Sequence, residues 1–113
     1  MKAYHFLPIL ARNGMLETMS RSEHKIDIRV NGVKINKVII DPHYKEKHSE
    51  SITDEIILEL VKALDGKDFE PEAVKDEYSY FVSLLELSNK NYKLIWLMEE
   101  DELYIGVINA YRR

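Results

Sequence analysis

The last third of the chain constrains the fold most. Three β-prone runs, Tyr78 to Leu87, Tyr92 to Met98 and Leu103 to Tyr111, are separated only by Ser88-Asn89-Lys90-Asn91 and by Glu99-Glu100-Asp101-Glu102. Aromatic and β-branched side chains suit a pleated, half-buried surface, and the polar gaps supply turn chemistry. Strands joined by so few residues can hardly pair other than antiparallel, which predicts a meander over residues 78–111. Within the middle run, Tyr92, Leu94, Trp96 and Met98 alternate with Lys93, Ile95 and Leu97, as a strand requires.

Upstream the pattern changes twice. Residues 1–23 show no clean period and are expected to form an irregular lead-in. Residues 24–40 read as a hairpin: Ile26, Ile28 and Val30 alternate with Lys25, Asp27 and Arg29, and Asn31-Gly32 is the strongest short signal for a type I′ turn. Asp41-Pro42 ends the pairing, since proline has no N–H for a ladder. The main helix is expected over residues 53–65. Ser51 or Thr53 can cap it, Asp54 and Glu55 suit its positive end, and Gly66 follows as a stop. Ile56, Ile57, Leu60, Val61 and Leu64 give it one apolar face. Residues 67–77 read as a polar connector containing Pro71. Hairpin, helix and meander in that order predict one α+β domain, with the main helix packed on a twisted antiparallel sheet.

The chain has 113 residues, enough for one domain with its own core. Nothing approaches the ~18 apolar residues of a membrane span. His5 and Pro8 break the weakly apolar start, which is not read as a signal peptide. With no cysteine, disulfides and zinc–thiolate sites are excluded, and a reducing cytoplasm is the expected location. The net charge of −4 runs against nucleic-acid binding, but its distribution is uneven. Residues 1–48 carry +4, residues 49–102 carry −10 and residues 103–113 carry +2. An acidic chain of this kind can still present a basic groove.

Two polar clusters stand out against this frame. One is Asp41-Pro42-His43-Tyr44-Lys45-Glu46-Lys47-His48, between an apolar strand and the helix start; the other is Asn109-Ala110-Tyr111-Arg112-Arg113 at the end of the last strand. If folding joins them, they form a cationic site suited to cutting RNA. Internal attack by a 2′-hydroxyl needs a base, an acid for the leaving 5′-oxygen and positive charge at phosphorus. His43 and His48 titrate near neutrality in model peptides. Lys45, Lys47, Arg112 and Arg113 can hold phosphate, and Tyr44 and Tyr111 can stack on a base. A metal site built on Asp41, His43 and His48 is outweighed, because their spacing matches no standard motif, and the cleavage chemistry needs no cofactor. Each residue also has a plain structural role open to it: loop capping, a solvated face or edge packing. Tyr78, Tyr80 and Phe81 read as core and cross-strand packing.

Lys45, Lys47 and His48 before Ile52-Thr53-Asp54-Glu55, followed by a meander ending in Asn109-Ala110-Tyr111-Arg112, resemble the barnase, EndoU, colicin-nuclease and RelE superfamily of small metal-independent ribonucleases. The resemblance covers roughly residues 36–113. It implies a RelE-like fold and a toxin-like endoribonuclease of a toxin–antitoxin or phage-related system, with RNA, ribosome-associated RNA included, as substrate and a protein antitoxin as partner. Carried onto this chain, it implies His48, Lys47, Tyr111 and Arg112 as the catalytic set. His43, Tyr44, Lys45, Asn109 and Arg113 are then expected around the substrate. The extra hairpin at residues 24–40 leaves a sheet edge free for self-association or for a protein partner. The competing expectation is a non-catalytic protein-interaction module.

Overall fold

The computed structural model describes residues 21–113; of the irregular lead-in expected over residues 1–23, residues 1–20 lie outside them, and Ser22 and Glu23 belong to the first strand instead. Strands occupy 54% of the fold and helix 15%, so the domain is mostly β rather than the expected α+β arrangement. Its one six-stranded sheet is mixed and curls into a half-barrel, which a RelE-like antiparallel sheet does not do. The strands are β1 (Ser22–Val30), β2 (Val33–Ile40), β3 (Ala73–Lys75), β4 (Tyr78–Leu87), β5 (Lys90–Glu99) and β6 (Tyr104–Arg112). They lie in the order β1-β2-β6-β5-β4-β3.

Two features separate this sheet from the one expected. β2 runs parallel to β6, with Lys37 opposite Tyr104 and Ile40 opposite Val107. Local hairpin signals carry no information about so distant a pairing, so the sequence reads as antiparallel throughout. The other feature is β3, which lies inside the expected connector. Its three residues are all exposed and offer no apolar alternation.

Turn chemistry follows backbone need. Asn31 and Gly32 both take left-handed φ, 53° and 76°, as a type I′ hairpin demands. Ser88 and Asn89 do the same between β4 and β5, so that turn is two residues long and β5 begins at Lys90. Bulges interrupt β1 between Lys25 and Ile28 and β6 beside Ile95 and Trp96. Such insertions increase local twist, in keeping with the curl.

The helix α1 (Asp54–Lys62) is shorter than the expected 53–65, and turns carry the chain from Ala63 to Gly66. Thr53 caps it by accepting from the Ile56 N–H at 3.1 Å. Gly66, at φ 77°, donates its N–H to the Arg29 carbonyl at 2.7 Å and binds the helix exit to the rim of the sheet. Ile57, Leu60, Val61 and Leu64 are fully buried in the principal core with Ile35, Val38, Leu94 and Trp96. The Trp96 indole stacks on Phe81 at 4.1 Å, meets Phe69 edge-on at 5.5 Å and donates to Ser83 at 3.0 Å. Ile39, Tyr78, Leu97 and Tyr104 form a separate buried cluster. No helix among the described residues is long and apolar enough to cross a membrane.

Candidate functional site

The site begins where β2 stops. β2 accompanies β6 only as far as Val107, and the chain then turns through a 3-10 segment, Pro42–Glu46, packed against β6. Asp41 caps this segment by accepting the His43 N–H at 2.8 Å, and Pro42 suits a first position that needs no donor. Tyr44 anchors it: the ring is buried and the hydroxyl donates to Asp54 Oδ1 at 2.7 Å. The backbone at His48 is held from both sides. Its N–H donates to the Tyr44 carbonyl at 2.8 Å, and its carbonyl accepts from Ser51 and Ile52 at 3.1 and 2.9 Å.

This scaffold sets the half-buried His48 ring against Tyr111, with centroids 5.1 Å apart and planes 29° from parallel. Lys93, the cross-strand neighbour of Tyr111, places its Nζ 5.9 Å from the same ring. An imidazole, a phenol and an ammonium from three separate segments therefore share one surface. Sequence reading missed Lys93, because its relation to Tyr111 depends on the β5–β6 register. Around the same end lie Lys47, Lys90, Arg112 and Arg113, all exposed.

The remaining expected residues are distributed as follows. Arg112 lies opposite Tyr92, and strand alternation puts it on the face of Ala110, away from Tyr111 and Lys93. Arg113 pairs its N–H with the Asn91 carbonyl at 2.9 Å. Asn109 sits at the β6 bulge, where its Oδ1 accepts the Ala110 N–H at 2.9 Å. His43 turns to Glu46 at 3.7 Å rather than to His48. Lys45 lies 6.0 Å from the Tyr44 ring. Tyr44 itself belongs to the core, so its ring offers no open face to a base.

Two carboxyl groups behind the site behave oppositely. Burial pushes the Asp41 carboxyl above its ordinary value, against the lowering effects of the His43 N–H and the Arg21 charge. Burial also works upward at Asp54, but hydrogen bonds from Tyr44, Ser22 and His24 outweigh it and hold that carboxyl below its ordinary value. Ser22 Oγ donates to Asp54 Oδ2 at 2.7 Å, and His24 Nε2 lies 3.3 Å from it. Desolvation first, and then its own hydrogen bond to Asp54, push the Tyr44 hydroxyl far up, so it stays protonated and donating. Among the described residues no three metal-donor side chains converge.

Fold and site together define a mostly β domain with a mixed, curled sheet and a basic end built on His48, Lys93 and Tyr111. No protein family, curated protein or solved structure matches the chain.

Proposed function

We propose that the chain is a toxin-like, metal-independent endoribonuclease acting at this basic end. One observation carries the proposal: His48 and Tyr111, 63 positions apart in sequence, stack at 5.1 Å with Lys93 beside them. Support comes from the site and not from fold analogy. His48 takes the proton of the 2′-hydroxyl as its oxygen attacks phosphorus. The Tyr111 hydroxyl protonates the leaving 5′-oxygen, and Lys93 and Lys47 offset charge on the phosphoryl oxygens. The products are a 2′,3′-cyclic phosphate and a new 5′-hydroxyl end. Arg113, exposed at the end of the last strand, holds the phosphate of a neighbouring nucleotide, and Arg112, on the other face, contributes less.

Pure protein incubated with RNA, with and without ribosomes, tests this by the appearance of 5′-hydroxyl ends that the His48→Ala protein does not produce. The separation of Arg112 from Tyr111 by strand alternation favours a second reading, a non-catalytic interaction module. That reading requires a folded protein that leaves every RNA intact.

A further inference from the structure

The sheet end opposite His48 and Tyr111 has a different character. There the β3–β4 and β5–β6 turns flank an open groove of about 690 Å³. Its lining includes Val74, Met98 and Leu103, and Val74 and Leu103 are 66% and 48% exposed, among the most exposed large apolar side chains described. Asp76, Glu77, Glu100 and Asp101 line it as well, and no lysine or arginine does so among the described residues. None of these four acids has an ion-pair partner among the described residues. A third property belongs to the backbone: β3 is the last strand of the sheet, and all three of its residues are exposed. Among the described residues no strand pairs with its outer edge, which can therefore accept another.

We propose that this groove docks an extended, lysine- or arginine-rich segment of another protein. The segment adds to the sheet along β3. Its basic side chains enter the groove, where their heads meet the acids of the two turns and their methylene stems cover Val74 and Leu103, while the residues between them point to the other face. Main-chain pairing supplies affinity in such strand addition, and alternating side chains supply specificity. Charge complementarity selects a basic strand over a neutral or acidic one, and the same acids repel RNA, so the two ends of the domain take different partners.

The test uses the whole chain and a fluorescein-labelled peptide alternating lysine and valine, with a glutamate–valine peptide as control. Anisotropy should show binding of the basic peptide alone, weakening as salt rises. Neutralising the acids together, by Asp76→Asn, Glu77→Gln, Glu100→Gln and Asp101→Asn, should weaken it by about tenfold or more. Asparagine is chosen at 76 and 101 because both sit at positive φ, 56° and 64°, which it tolerates. Amide shifts of the wild-type protein on titration should cluster at Val74 and Leu103, a readout that needs no variant. Equal binding of both peptides, an undiminished affinity in the neutralised protein, or shifts centred on His48 would overturn the proposal. So would sedimentation showing the groove filled by a second copy of the chain.

Discussion

The Tyr44 hydroxyl donates to the Asp54 carboxylate across 2.7 Å, tying the turn after β2 to the first residue of α1. The backbone of that turn holds His48, so the bond acts on the site through position alone. Tyr44→Phe removes a buried hydrogen bond to a charged group and should cost ~1.5–3 kcal/mol in chemical denaturation at neutral pH. The folded Asp54 carboxyl lies below its ordinary value of 3.8. Its contribution is thus complete above that value and is lost as pH falls through the folded value. The difference between wild type and Tyr44→Phe should therefore be constant from neutral to mildly acidic pH and shrink below 3.8. A difference that grows on acidification would show that Asp54 is not the partner that matters.

Asn31 does two jobs at once. It takes the left-handed turn position, and its amide bridges to Phe69, accepting the Phe69 N–H at 2.6 Å and donating to the Phe69 carbonyl at 3.2 Å. Asn31→Ala loses both bonds and places a residue with a Cβ and no polar compensation at φ 53°. A loss of ~2–3 kcal/mol is expected, against ~1 kcal/mol for Gly32→Ala, which only strains the backbone. Equal losses in paired thermal melts would argue that the connector is not held by this amide.

Leu60 is fully buried between α1 and the sheet. Leu60→Ala should cost ~2–5 kcal/mol through lost transfer energy and the cavity left behind. An unchanged melt would mean that this helix face is not packed.

Much of this local structure is legible in the chain. Period and turn residues mark the runs that become β1, β2, β4, β5 and β6, and the cap at Thr53 and the stop at Gly66 bracket the helix. What alternation cannot encode is which distant strands meet. The parallel β2–β6 pair depends on three-dimensional closure, and it turns an expected antiparallel sheet into a mixed, curled one. β3 is silent because Ala73, Val74 and Lys75 are all exposed. At the site, the residue types of both polar clusters are visible, and so is the case for their meeting. The face on which each side chain falls is not, because the β6 bulge resets alternation between Val107 and Asn109. That shift joins Tyr111 to Lys93 and sends Arg112 to the other face.

Register makes Lys93 and Arg112 unequal. If RNA binds across His48 and Tyr111, Lys93→Ala should weaken binding of single-stranded RNA at every sequence and reduce the salt slope by about one phosphate contact. Arg112→Ala should have the smaller effect, since that side chain lies on the opposite face from Tyr111. Affinities measured across a salt series would contradict this arrangement if Arg112→Ala proved the more damaging change.

Catalysis by His48 is the central claim, and one assay addresses it directly. Purified wild-type and His48→Ala proteins are incubated with RNA, with and without ribosomes, in the presence of a chelator, and new 5′-hydroxyl ends are counted over time. The wild type should cut. His48→Ala should cut ~10²–10⁴-fold more slowly while keeping the wild-type melt, as expected for loss of one general acid–base group. No new ends from the wild type under either condition, or equal rates from both proteins, would contradict the account.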